Sequence, residues 1–428
     1  MCNIIKSVLA VILIASLHTT AIGQNIYTLE ECHSMALENN ARLKNARNDV
    51  AGAIQGKKEA FTNYFPNISA TGMGYNANKG LIEMDMGPGM SMSMLKNGIM
   101  GGVTLTQPIF AGGQIVNGNK LAEIGVDMSR LQLAQTENEV RLTVEQFFWQ
   151  IITVEEKRKT LALIDTMLVK LHKDVEVAVN AGVTMRNDLL QVRLKQNEIQ
   201  SAIITLESNR AILKKMLAQY MGLGTEEINI TYNVSFDEAP AFPDDIFIIP
   251  QDALSSTIEY KMLRNNVDAS KLQYKMAVGK NLPTVGAGVG YMYDNLTDKD
   301  HAFGIAFVSV SIPISGWWGG SHSMKKQRLA VMNSQTTFED TQNLLVIKME
   351  KAWSDLNDAW QQTGIEQKSI EQATENLRLN RDYYHAGTTT LSDLLDAQSL
   401  FQQSRDKYIE AYSAFRIRRV EYLQATGR

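Results

Sequence analysis

Two long stretches of this chain repeat each other in fixed register. Pro108, Gly182, Asp188, Leu189, Leu190 and Gly222 recur as Pro313, Gly387, Asp393, Leu394, Leu395 and Gly427, each displaced by 205 residues (313 − 108, 387 − 182, 427 − 222). Upstream, Val50, Ala60 and Pro66 reappear as Val267, Ala277 and Pro283 at a displacement of 217 (267 − 50), so an insertion or deletion separates the two blocks. Glycine and proline punctuate helices and strands, and their shared spacing means that two copies of one long unit follow each other.

Each unit reads as helix, strand pair, very long helix, turn and return helix. In the first, residues 29–64 place an apolar side chain every three to four positions without proline, and Pro66 ends the helix. Residues 68–76 and 101–110 read as two strands of a hairpin with a long tip. Residues 114–181 contain no proline and interleave charges with Leu, Ile and Val; at about 1.5 Å per residue they make a rod on the order of 100 Å long. Gly182 stops it, and a shorter helix returns antiparallel over 187–221. The second unit repeats this with a helix over 252–281, strands over 285–293 and 303–314, a rod over 321–386, a turn at Gly387 and a last helix to Thr426. Residues 223–249, with Pro240 and Pro243, read as a linker packed on the outside of the rods.

Residues 1–23 combine Lys6, an apolar run from Val8 to Leu17 and the small-residue site Ala21-Ile22-Gly23, the pattern of a secretory signal peptide. Its removal leaves Cys32 as the one cysteine, so no internal disulfide is expected. The formal charge of −4 makes nucleic acid a poor partner. No apolar run of transmembrane-helix length follows the signal, which leaves a β-barrel open as the membrane-spanning element. Enzyme signatures are missing: the six His show no metal-ligand spacing, and Gly286-Ala287-Gly288-Val289-Gly290 lies in a strand rather than before a helix. No catalytic residue, cofactor or resident metal is expected.

In residues 285–294, Val285, Ala287, Val289, Tyr291 and Tyr293 alternate with Gly286, Gly288, Gly290, Met292 and Asp294. This suits a membrane strand with one face to lipid and the other to a lumen. Tyr75, Phe110, Tyr291, Tyr293, Trp317 and Trp318 fall near strand ends, where amphipathic rings favour the membrane interface. A soluble hairpin capping a coiled coil shares the alternation. Four strands cannot close a barrel, and open edges in lipid would leave backbone groups unpaired at several kcal/mol each. A membrane reading therefore requires several chains to share one barrel.

The strand exit Gln107-Pro108-Ile109-Phe110-Ala111-Gly112-Gly113, the turn Gly387-Thr388-Thr389-Thr390-Leu391-Ser392-Asp393-Leu394-Leu395-Asp396-Ala397-Gln398 and the duplicated layout resemble the TolC-type outer membrane efflux proteins. The resemblance implies a mainly α fold with a β-barrel segment. Duplicated antiparallel coiled-coil hairpins would form a periplasmic tunnel, and four transmembrane strands per chain would complete a 12-stranded barrel in a homotrimer. The implied segments are a signal peptide at 1–23, helices at 24–65, a membrane hairpin at 66–111, long helix, tip and return helix at 112–222, and a linker at 223–249. A helix at 250–282, a membrane hairpin at 283–316 and the second long helix, tip and return helix at 317–428 follow. The implied partners are outer membrane lipid, a periplasmic adaptor (membrane fusion) protein and an inner membrane pump of RND, ABC or MFS type. The chain itself would be a passive exit duct for efflux or type I secretion.

The resemblance also implies a gate. Asp393 and Asp396 match two tip aspartates that form acidic rings, although Asp393 could equally cap the last helix. Tyr384, Asp188 and Asn187 match latch positions, and Gly182 and Gly387 mark the turns over which an adaptor docks. The latch arginine has no match: Thr389 stands in its place, with Arg186 a candidate substitute. Leu189, Leu190, Leu394 and Leu395 read as coiled-coil knobs. Two further readings stay open: a periplasmic coiled-coil scaffold or adaptor, and a copper or silver efflux variant. Met84, Met86, Met90, Met92, Met94 and Met100 crowd one hairpin tip, and thioethers suit Cu(I) and Ag(I).

Overall fold

The computed structural model describes residues 26–80, 82–85, 87, 91–94, 96–236, 238–295, 300–314 and 316–428; the signal segment expected over 1–23 lies outside them. The main helices are α1 (Leu29–Asn39), α2 (Ala41–Thr62), α3 (Gln114–Asn180), α4 (Arg186–Tyr220), α5 (Ile258–Gly279), α6 (Gly316–His385) and α7 (Leu391–Ala425). The strands are β1 (Ile26–Tyr27), β2 (Asn67–Asn76), β3 (Ile82–Asp85), β4 (Ser91–Met94), β5 (Asn97–Ala111), β6 (Asn229–Ile230), β7 (Thr284–Asp294) and β8 (His301–Ser311). At 67 and 70 residues, α3 and α6 are each on the order of 100 Å long. Among the described residues no helix is long and apolar enough to cross a membrane.

The elements form three stacked layers in one order. The sheet runs β2-β5-β7-β8, all antiparallel. Below it, α2, α3, α5 and α6 pack side by side in the same sequence. Farther down, α4 and α7 replace α2 and α5, giving the row α4, α3, α7, α6. All three layers are therefore open along the same two sides: β2, α2 and α4 on one, β8 and α6 on the other.

Register gives the sheet two chemically different faces. Ile68, Leu105, Val289 and Ala306 lie in one row across the four strands, and Ala70, Val103, Tyr291 and Gly304 in the next row of that face. The opposite face carries Ser69 and Thr104, whose hydroxyls lie 3.0 Å apart, and the glycines of β7. The alternation read at β7 thus extends across β2 and β5. β8 departs from it by laying large apolar side chains over the β7 glycines: a Cβ on Gly288 would meet the Phe307 ring at 2.5 Å, and one on Gly290 would meet Ile305 at 3.3 Å.

Several boundaries differ from the periodicity. The first helix divides at Asn40, whose side chain accepts from the Arg42 amide at 2.9 Å and donates to the Tyr220 carbonyl at 2.8 Å. One Asn thereby caps α2 and ties it to the end of α4. The helix expected over 252–281 is interrupted: short helical turns over Pro250–Ala253 and Leu254–Ser256 end at Thr257, which caps α5 by accepting from the Tyr260 amide. α6 starts at Gly316, before the expected residue 321. Glycine at 320 makes room for the Asn281 side chain, with which any Cβ there would collide, and Trp317 Nε1 donates to the Asn281 carbonyl at 3.0 Å. β3 and β4 form an additional small hairpin.

The linker wraps one face of the rods. β6 pairs in parallel with β1, the Tyr408 hydroxyl donates to the Glu238 carbonyl at 2.9 Å, and Trp360 Nε1 donates to the Pro240 carbonyl at 2.9 Å. The Ile248 amide donates to the Tyr422 hydroxyl at 3.1 Å. Trp149, Phe148, Leu217, Met221 and Tyr412 belong to the main core cluster, which also buries Cys32. Burial pushes the Cys32 thiol up to about 12, so it behaves as a small apolar side chain.

Two glycines separate backbone strain from crowding. At Gly112 (φ +61°) a Cβ would collide with the Gly279 carbonyl, whereas at Gly182 (φ +72°) it would meet open space. Gly182→Ala is expected to cost only the left-handed penalty, about 1–2 kcal/mol. Gly112→Ala must also push α5 away and should lower the thermal midpoint by a clearly larger step; equal losses would contradict this packing.

Candidate functional site

The tip is built by helix-ending chemistry that occurs twice. Gly182 and Gly387 both have φ of +72°. In the first tip the amides of Gly182 and Val183 donate to the Val179 and Ala178 carbonyls; in the second those of Gly387 and Thr388 donate to the Tyr384 and Tyr383 carbonyls. This paired-bond helix stop favours glycine, and it turns each long rod back within a few residues.

The return helices start under a threonine–aspartate clamp, also duplicated. Thr184 Oγ1 donates to the Asp188 carboxylate, and Thr389 Oγ1 donates to the Asp393 carboxylate at 2.9 Å. Both pairs obey the 205-residue displacement (389 − 184, 393 − 188). The second clamp is the fuller one. Thr390 donates from its amide at 3.1 Å and from its hydroxyl at 2.5 Å to Asp393 Oδ2, and the Asp393 amide donates to Thr390 Oγ1 at 3.2 Å. Bonds from Thr390, and then Thr389, hold the Asp393 carboxyl below the usual carboxylate range. The residue standing in place of the expected arginine is therefore part of the tip's own cap. The sequence carries a signal for this role, since Thr184 lies in register with Thr389, but resemblance alone does not reveal it.

Asp393 and Asp396 share one exposed stripe of α7 that continues through Leu400, Gln403, Lys407 and Glu410 at three- and four-residue spacing. Leu394, Ala397, Phe401 and Tyr408 are buried beside it. The linker reaches α7 through Tyr408 and Tyr422, both off the stripe, and so leaves the two aspartates uncovered. Asp393 is engaged in its cap, whereas Asp396 stands exposed one turn farther along the helix.

Tyr384 connects the two hairpins. It packs half-buried against the cluster that joins Val175 of α3, Val192 of α4 and Leu391 and Leu394 of α7. Burial first, and then the nearby Asp188 and Asp174 carboxylates, push its hydroxyl above the ordinary tyrosine range. Tyr384 and Asp188 are thus brought together within one chain. Asn187 and Arg186 are exposed in the first turn of α4.

The turn-flanking leucines split by position. Leu394 is 3% exposed and Leu395 and Leu189 pack against the same cluster, whereas Leu190 is 48% exposed. The repeat equates Leu190 with Leu395, but α7 packs on both α3 and α6 while α4 packs mainly on α3. Leu190 therefore lies on an open side, not in a knob position of this chain. Leu194, Ile204 and Ile212 of α4 are exposed too, as are Leu344, Ile347 and Ile365 of α6.

Register pairs Met84 with Met92 and Ile82 with Met94 in the small hairpin; Met86 and Met90 lie outside the described residues. Among the described residues no cluster of His, Cys, Asp or Glu could hold a metal ion.

Known proteins share this architecture. The family model described as outer membrane efflux protein matches residues 33–223 and 249–428. VceC, an outer membrane protein of Vibrio cholerae, superimposes with a TM-score of 0.78 at 12% identity, over 93% of this chain and 96% of its own. CusC, whose structures describe transmembrane channel formation, gives 0.80 at 15% identity over 96% and 95%. The CmeC outer membrane channel of Campylobacter jejuni gives 0.79 at 15% identity over 93% and 85%. No curated protein sequence matches the chain.

The clamps give a pH signature. Asp393 is held below its unfolded value, so its contribution to the tip is present above the ordinary carboxylate range and is lost as pH falls through the lowered value. Amide hydrogen exchange at positions 390 and 393, the two amides the clamp engages, should quicken in Thr390→Val with Thr389→Val at neutral pH, and the difference between variant and wild type should narrow in acid. Unchanged protection in the double variant would refute the clamp.

Proposed function

The chain belongs to the outer membrane efflux protein family and resides in the outer membrane, with its long helices in the periplasm; from that premise we propose that it is the exit duct of a tripartite efflux system, gated at its periplasmic tip. Three copies close one wall, and the duct passes solute without energy of its own. A periplasmic adaptor covers the tips at Gly182 and Gly387, and an inner membrane pump supplies the driving force.

The common openness of the three layers supports this reading. β2, α2 and α4 leave one side unpartnered and β8 and α6 leave the other, so a neighbouring copy related by rotation meets all three layers at once. Such head-to-tail contact closes into a ring. The exposed leucines and isoleucines of α4 and α6 face that junction, and closure removes the unpaired backbone of β2 and β8 from lipid. A periplasmic scaffold would have no use for a sheet with one predominantly apolar, exposed face.

With the linker outside the ring, the uncovered α7 stripe turns toward the axis. Three copies of Asp393 and Asp396 then ring the narrowest point, with a negative field that attracts multivalent cations. Asp393 spends part of its hydrogen-bonding capacity on its cap, so Asp396 contributes the larger share of cation binding. In the absence of the arginine, the two clamps fix the shape of each turn, and Tyr384 beside Asp188 joins the two hairpins of one chain at the resting tip.

In planar bilayers, Asp396→Asn is expected to weaken block of single-channel current by a multivalent cation on the order of tenfold, and Asp393→Asn distinctly less. Equal block of wild type and the double variant Asp393→Asn/Asp396→Asn would refute the gate.

A further inference from the structure

Just below the sheet, the charge of the chain reverses. Residues 54–62, 114–123, 271–280 and 316–328, the helix ends next to the strands, carry nine Lys or Arg and two acidic residues, in a chain whose total charge is −4. All nine cations are exposed. Lys57 pairs with Glu123 at 2.8 Å and Lys271 with Asp268 at 3.1 Å.

These cations stand close along the same helices to large exposed apolar side chains at the membrane boundary. On α6, Trp318 is 79% exposed, and His322 and Lys325 follow it at four and seven residues; Arg328 follows the exposed Trp317 at eleven. On α2, Lys58 precedes the exposed Phe61 by three residues, and Lys275 of α5 precedes the exposed Leu282, in the turn that follows α5, by seven. At about 1.5 Å per residue, seven residues place the Cα of the cation roughly 10 Å from the level of its apolar partner. Extended lysine and arginine side chains reach back over much of that gap, and a headgroup layer several ångströms thick fills it.

We propose that this collar binds the phosphates of anionic phospholipids in the periplasm-facing leaflet, so that the barrel sits in a shell enriched in phosphatidylglycerol-type lipid. The inference rests on the membrane placement of the sheet. Charge complementarity identifies the occupant, and continuity with the lipid-facing sheet identifies a bilayer as the source of the phosphate. Cations near an anionic leaflet gain from its surface potential, and that gain is screened by salt.

The test uses the full-length protein in vesicles of phosphatidylcholine with a minority of phosphatidylglycerol, extracted with a polymer that retains the lipid shell. The ratio of the two lipids in the shell is compared with the bulk. Wild type at low salt should show phosphatidylglycerol enriched on the order of fivefold, falling towards unity at high salt. Lys58→Gln/Lys325→Gln/Lys326→Gln/Arg328→Gln should lose the enrichment, and the matching variant with arginine at the three lysine positions should keep it. A wild-type shell at the bulk ratio would overturn the proposal, as would equal enrichment in the glutamine variant. Should the glutamine variant fold poorly, the salt series on wild type decides alone. Absence of both lipids from the extracted particles would instead refute the membrane placement on which the proposal rests.

Discussion

In hydrocarbon an unpaired backbone amide or carbonyl costs several kcal/mol, and a strand edge that water would tolerate becomes untenable there. A four-stranded sheet has two such edges, and its exposed apolar face suits no other environment. The helical layers repeat the problem in weaker form, with Leu194 and Ile212 exposed on α4 and Leu344 and Ile347 exposed on α6. In the proposed ring, one rotation that closes the sheet also closes the helices, because all three layers keep the same order.

The duplication explains how one chain reaches that geometry. Each unit contributes two strands of the sheet, two helices to the upper row and two to the lower, and each rod reverses at a glycine with φ of +72°. The linker then fixes the two units against each other through Tyr408, Trp360 and Tyr422. It reaches α7 beside the acidic stripe rather than over it, so the strap that holds the units together leaves Asp393 and Asp396 exposed.

Much of this was legible in the sequence because its determinants are local. Rod length follows from the absence of proline, the tips from glycine, and the sheet faces from alternation at β7. Where expectation and structure part, a tertiary contact has overridden local pattern. Asn40 and Thr257 break helices by capping the next one, and Asn40 does so while donating to the carbonyl of Tyr220, a residue 180 positions away. Gly320 precedes the rod expected from residue 321 but sits inside α6, where Asn281 fills the space a side chain would need. The tip was half legible: the aspartates stand out by resemblance, whereas the part played by Thr184 and Thr389 shows only when the two copies are laid on each other. Leu190 has no knob position within the single chain because internal repeats share sequence but not neighbours, and α4 stands at an open side.

Whether the chain completes its wall only with copies of itself is decided by the detergent-corrected mass of the protein extracted from outer membranes, measured by light scattering after size exclusion. A particle of three chains, less their signal segments, is the expected result. A stable single chain with its sheet still folded would contradict it, because β2 and β8 would then need no partner.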